Sequence, residues 1–155
     1  IQRGVLTIAF EPINSNLETF KNNLQINNFL DKIELHSKAL SNTNGTEKSF
    51  GTGTSASFVK GWASNTDSIS EIVEIDTLDN CLHNRFSSEQ LLILIDVEGY
   101  EYNVLQGGIQ TIKKKKNLFG SSRFHCLSIC QKEFQKMKIL LKSLNYSGIT
   151  DINHI

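Results

Sequence analysis

The stretch that most constrains this chain is Leu91-Leu92-Ile93-Leu94-Ile95-Asp96-Val97-Glu98-Gly99-Tyr100-Glu101. Five consecutive apolar residues run into two carboxylates and a glycine, and a helical pattern starts directly afterwards. A run of strand length that is apolar throughout suits a strand covered on both faces, as in a parallel α/β sheet. A buried helical segment reads similarly, but this run is only strand length and a new pattern follows at once. Asp96 and Glu98 then stand at the carboxyl end of that strand, where open α/β sheets bind their ligands.

Upstream, Gly4–Phe10 is apolar and rich in strand formers, and it stops at Glu11-Pro12 because proline has no amide hydrogen to donate. Ser15 and Glu18 have capping-box spacing. They predict a helix with Leu17, Phe20 and Leu24 on one face, ending near Asn27-Asn28. Ile33 and Leu35 alternate with polar neighbours in a second strand that leads through Ser37 to Ser41. Asn44-Gly45 is a turn signal that predicts a hairpin closing onto Glu47–Phe50. Residues 51–70 are rich in Gly, Ser, Thr and Asn and read as a surface loop carrying Phe58 and Trp62. A loop that long in a compact domain is more often functional or mobile than neutral.

Ile72, Val73 and Ile75 predict a short strand, and Leu78–Leu82 a short helix. After the central strand, Tyr102, Leu105, Ile109 and Ile112 share one helical face. Gly107-Gly108 inside that helix costs roughly 1 kcal/mol per glycine relative to alanine, so the pair points to a close approach by a neighbouring element. Arg123–Cys130 reads as another strand, and Phe134, Met137, Leu141 and Leu144 as the stripe of a last helix. Strands alternating with helices predict α/β architecture with a doubly wound, mostly parallel sheet, in a single domain over residues 1–155.

Charge excludes two partner classes. Lys+Arg and Asp+Glu balance at 16 each, so no global field favours nucleic acid or an anionic membrane. The basic block Lys113–Lys116 sits where a helix ends and complements its dipole. No window approaches the roughly 18 apolar residues of a membrane span, and no signal peptide is visible at the start. The three cysteines lack framework spacing, which predicts reduced thiols and a cytoplasmic setting. Cys126 and Cys130 read as buried small hydrophobes. Neither the cysteines nor His36, His83, His125 and His154 make a zinc-ligand pattern, so no metal is expected.

Three places could carry chemistry. Glu11 is a carboxylate at a strand tip, able to accept from both hydroxyls of a ribose, or else to serve as a solvated acid or helix-dipole partner. Asp96 and Glu98, one residue apart, could bind an ammonium, accept a proton from a hydroxyl, or hold a cation. Against that, Glu98 and Glu101 would simply favour the amino end of the next helix. Gly51-Thr52-Gly53-Thr54-Ser55-Ala56-Ser57 has no lysine in P-loop spacing and reads as a flexible loop. No GxSxG elbow or Ser-His-Asp order suggests a hydrolase.

Four blocks in order then resemble the FkbM-type S-adenosylmethionine-dependent methyltransferases. Phe10-Glu11-Pro12 with a helix through Leu24 and Asn27-Asn28 is similar to the family's FEP…NL…N segment. Ala39-Leu40-Ser41 with Asn44-Gly45 resembles its ALSD…G block. Ile75-Asp76-Thr77-Leu78-Asp79 resembles its TLD block. Ile95 to Gly108 resembles IDVEGAE…VLKGA, its most specific signature. The likeness spans about residues 4 to 112 and continues more weakly beyond.

The resemblance implies a Rossmann-like, class I methyltransferase fold and S-adenosylmethionine as cofactor. It also implies methyl transfer to a hydroxyl oxygen of a sugar or natural product, thus a small-molecule or glycan acceptor. Through it Glu11, with Pro12, would hold the cofactor ribose, and the turn Ala39, Leu40, Ser41 would flank the adenine. Asp96 would lie beside the methionine end and the acceptor as the catalytic carboxylate, with Glu98 and Gly99 shaping that corner. Relative to the family, the chain starts at the second strand. The expected domain is therefore N-terminally truncated, without the first strand and its glycine-rich turn. Near Cys126–Cys130 the family often has a strand with a glutamate, where this chain has Ser128 and Cys130. The competing expectations are a non-catalytic scaffold used as a binding module and a dinucleotide or nucleotide-sugar enzyme. The loop with Phe58 and Trp62 is the expected acceptor lid.

Overall fold

The computed structural model describes residues 6–62, 69–86, 91–114 and 118–122, together with 135–136, 139–140 and 143–144 of a further helical stretch. The chain begins with strand β1 (Thr7–Phe10), helix α1 (Asn14–Ile26), a 3-10 turn at Leu30–Lys32 and strand β2 (Ile33–His36). Next come β3 (Ala39–Ser41), β4 (Gly45–Phe50), β5 (Ser70–Thr77) and the short helix α2 (Leu78–Cys81). The sequence closes with β6 (Leu91–Ile95), α3 (Glu101–Gln106), α4 (Ile109–Lys114) and β7 (Leu118–Ser122). Among the described residues no helix is long and apolar enough to cross a membrane.

The fold is mixed α/β, and among the described residues the strands lie in three small sheets. β1 and β2 pair in parallel, Thr7 opposite Ile33 and Phe10 opposite His36. β6 and β7 also pair in parallel, Leu91 opposite Leu118 and Ile95 opposite Ser122. In the third sheet β5 lies between β3, its parallel neighbour, and β4, its antiparallel one. The single continuous parallel sheet expected from the alternating pattern is not what these hydrogen bonds form.

The β3–β4 hairpin is likewise corrected. Ala39 and Gly45 both face Ile75, from opposite sides, so β5 has inserted between the two strands. Asn44-Gly45 does turn the chain, with Gly45 at φ 139°. The partner, however, is chosen by burial. Val73 and Ile75 are enclosed with Ile13 and Ala39, and Ala56 and Phe58 pack against them.

Helix α1 buries Leu17 and Leu24, as its periodicity requires. Its start is earlier than the capping box predicts. Ile13 is the cap residue and no side chain caps from that position, so Ser15 lies inside the first turn. Glu11 takes over at this end: its Oε1 accepts the Ile13 amide at 2.9 Å.

The second apolar cluster joins Ile95 to Val104, Leu105 and Ile112, with Leu40, Ile93, Val97, Tyr102, Leu140 and Leu144 around it. It covers one face of β6. The other face carries Leu92 and Leu94, 72% and 70% exposed, so the expectation of cover on both faces fails in this structure. The helix expected after β6 is broken in two at Gly107-Gly108. Both glycines are buried at close approaches: a Cβ on Gly107 would lie 1.9 Å from the Ser41 carbonyl oxygen, and one on Gly108 2.8 Å from Leu78. The strand paired with β6 is Leu118–Ser122. The strand expected at Arg123–Cys130 lies outside the described residues, as do Phe134, Met137 and Leu141 of the final stripe.

Candidate active site

The corner after β6 is built from two successive left-handed residues. Glu98 has φ 50° and Gly99 φ 91°. Only glycine adopts the second without strain, and a Cβ there would meet the Trp62 ring at 2.5–2.9 Å. Glu98 is not glycine and needs support. Ser57 Oγ donates to its carbonyl oxygen at 2.7 Å, and Trp62 Nε1 donates to its Oε2 at 2.8 Å. The two acids of this turn are therefore separated in role: Glu98 faces the 53–62 segment, while Asp96 is exposed at the strand end.

Glu101, in the first turn of α3, folds back to accept the Gly99 amide at 3.2 Å. It is buried, 7% exposed. Burial pushes its carboxyl above the usual range, the nearby Glu98 charge adds to this, and backbone N–H groups at Glu101, Gly99 and Val97 oppose it. Sequence reasoning took it for a helix-dipole partner. Its burial comes from the shape of the turn, for which the local pattern carries no signal.

At the β1 end, the backbone amide of Glu11 donates to the His36 carbonyl, extending the β1–β2 pairing by one bond. Its Oε1 accepts from Ile13 N at 2.9 Å and from Asn16 Nδ2 at 3.5 Å. Both bonds fall on one oxygen, and among the described residues Oε2 is not engaged. Pro12 follows in the half-buried lead into α1. Phe10 stacks on His36 with ring centroids 5.0 Å apart.

The third predicted element is the Ala39–Ser41 block. Ala39 is buried and Ser41 completely so. Ser41 Oγ lies 3.3 Å from Asn42 Oδ1 and 3.4 Å from the Tyr100 hydroxyl. Leu40 is half-buried against the Ile95–Val104 cluster.

One segment links these ends. The Gly53 carbonyl accepts from Asn16 Nδ2 at 3.0 Å, which joins the segment to the Glu11 side. Ser57 forms a two-way backbone bridge with Phe50. Phe58 packs on Tyr100, centroids 4.8 Å apart, and Trp62 reaches Glu98. The structure thus connects Glu11, Ser41, Glu98 and Gly99 through contacts of residues 53–62. The expected surface loop is in this part a packed one, with Trp62 2% exposed.

Several charged groups outside this chain of contacts are paired. Arg85 grips Glu34 with two nitrogens at 2.7 and 2.6 Å, and His36 Nε2 lies 2.8 Å from the same carboxylate. Lys38 bridges Glu74 and Asp76 at 2.9 and 3.3 Å. The Cys81 thiol is pushed up to about 11 by burial and by neighbouring Asp76, so it stays protonated and unreactive near neutrality. Asp79 is a residue whose role sequence reasoning missed: it accepts the Gln110 and Thr111 amides at 3.0 and 2.7 Å and so caps α4 from another element.

A family model described as the methyltransferase FkbM domain matches residues 2–147. A crystal structure of methyltransferase FkbM from Methylobacillus flagellatus KT superposes with a TM-score of 0.52 at 17% sequence identity. The alignment covers 87% of this chain and 29% of that one, so the chain spans less than a third of its solved neighbour. At that identity the likeness is one of fold. No curated protein matches the sequence.

Proposed function

The chain belongs to the methyltransferase FkbM domain family, and on that premise we propose that it serves methyl transfer from S-adenosylmethionine to a hydroxyl oxygen of a small molecule or glycan. The supporting observation is the family match over residues 2–147, which contains Glu11, the Ala39–Ser41 block and the Asp96–Gly99 corner. In the same reading the small parallel sheets are portions of a Rossmann-like, doubly wound methyltransferase sheet.

The donor set suits the cofactor. Among the described residues Glu11 keeps one carboxylate oxygen unengaged at the carboxyl end of β1, suited to ribose hydroxyls. Gly99 turns the backbone with a positive φ beside an exposed Asp96. When bound, S-adenosylmethionine supplies a methyl group on a positively charged sulfur. The chain supplies the rest. Glu11 binds the ribose and fixes the register of the adenosyl group, and Pro12 and the Ala39–Ser41 block, which forms strand β3 rather than the expected turn, bound the adenine side. Glu98 and Gly99 shape the corner, while the Asp96 carboxylate takes the proton from the acceptor hydroxyl. Orientation of the acceptor provides much of the rate in such a site.

Calorimetric titration with S-adenosylhomocysteine tests the assignment. The folded chain is expected to bind it, and Glu11→Gln to weaken binding about tenfold, the scale of one charge-assisted hydrogen bond. Asp96→Asn is expected to lower turnover far more than cofactor affinity. A folded chain that binds no S-adenosylhomocysteine would overturn the proposal, and an Asp96→Asn variant as active as its parent would remove Asp96 from the chemistry. A scaffold kept for binding alone has no specific observation in its favour.

A further inference from the structure

We propose that Trp62 is a positioning residue for the cofactor corner, holding the Glu98–Gly99 turn in place from a loop that no local pattern connects to it; this rests on the methyl-transfer function proposed above. The indole is 2% exposed, although it arrives on a segment composed largely of Gly, Ser and Thr. Its ring covers Gly99 so closely that no side chain fits there. Its Nε1 donates to Glu98 Oε2 at 2.8 Å, while Ser57 of the same segment donates to the Glu98 carbonyl at 2.7 Å.

A non-glycine residue at φ 50° persists where its surroundings over-determine it. Here two donors from one loop do so, one on the backbone and one on the side chain. An indole N–H to a carboxylate is a charge-assisted bond, and exclusion of water strengthens it. The same segment accepts a hydrogen bond from Asn16, which touches Glu11, so displacement of the loop is felt at both ends of the site.

Trp62 is the one tryptophan of the chain, so its emission reports on this corner without labelling. The test titrates the unmodified chain with S-adenosylhomocysteine, following emission and heat together. It then compares the Trp62→Phe and Ser57→Ala variants by calorimetry, thermal melting and amide hydrogen exchange at residues 97–101. Emission is expected to shift with the same midpoint as the heat signal. Trp62→Phe, which keeps a ring over Gly99 but loses the donor, should melt cooperatively, bind about tenfold more weakly and exchange faster at Gly99 and Tyr100. Ser57→Ala should move the same amides less. Parental affinity and unchanged amides in Trp62→Phe would overturn the inference while leaving the function intact. If the unmodified chain binds no S-adenosylhomocysteine, the function falls, and amide exchange alone decides. Faster exchange in both variants then shows that the loop holds the Glu98–Gly99 turn but overturns its role toward a cofactor, and unchanged exchange overturns both.

Discussion

Gly99 is the position where backbone conformation and packing make the same demand. Its φ of 91° excludes ordinary side chains, and the Trp62 ring fills the space a Cβ would take. Gly99→Ala is expected to cost about 2 kcal/mol from the left-handed backbone alone, with displacement of the indole in addition. For a chain of this size that lowers the melting midpoint by roughly 5 °C, and Trp62 emission should shift to the red as water reaches the ring. Glu101, two residues on, makes a pH-dependent prediction. Burial raises its folded-state pKa, so its contribution to stability is fully present at acid pH and is lost as pH rises through the folded pKa. Glu101→Gln keeps an acceptor for the Gly99 amide without the charge. Its melting midpoint relative to the parent should therefore climb as pH rises above about 4.5, and a difference that stays flat there would contradict the burial argument.

At the scale of elements, the join between β3, α2 and the α3–α4 pair carries the packing. Gly107 presses its backbone against the Ser41 carbonyl and also accepts the Asp79 amide at 2.9 Å. Gly107→Ala is expected to destabilise by about 3 kcal/mol, at the upper end of overpacking costs, because the obstructing atom is backbone and cannot rotate away. Asp79 caps α4 with both carboxylate oxygens. Asp79→Ala should cost about 1–2 kcal/mol, as loss of a helix cap does, with raised amide exchange at Gln110 and Thr111. The Gly107-Gly108 pair was legible in the sequence as a close approach, since two glycines inside a helical pattern are expensive without one. The identity of the partner was not legible, because Ser41 and Leu78 lie far away along the chain.

At the scale of the whole molecule, Arg85 ties the α2 region to β2 through the bidentate contact with Glu34. The Arg85 and His36 hydrogen bonds hold the Glu34 carboxyl well below its ordinary 4.5, at about 2. The folded-state pKa is depressed, so the stability it lends is present above about 4.5 and disappears as pH falls toward 2. Glu34→Gln should flatten the acid limb of a melting-midpoint profile in that window and leave it unchanged near neutrality in shape. Because the pair is partly exposed, added salt should shrink the difference.

The sequence by itself determined the strand formed by the apolar run ending at Asp96, the strand around Val73 and Ile75, the helix behind Glu11 and the family to which the four blocks point. These are local signals, since periodicity and short motifs depend on neighbours within a few positions. Only the tertiary structure decided that β5 separates β3 from β4, that Trp62 lies buried over Gly99, and that Glu98 accepts from Trp62. Each of these is a contact between segments far apart in the chain, selected by burial and by which donor lies within reach, and neither quantity is written in any single stretch.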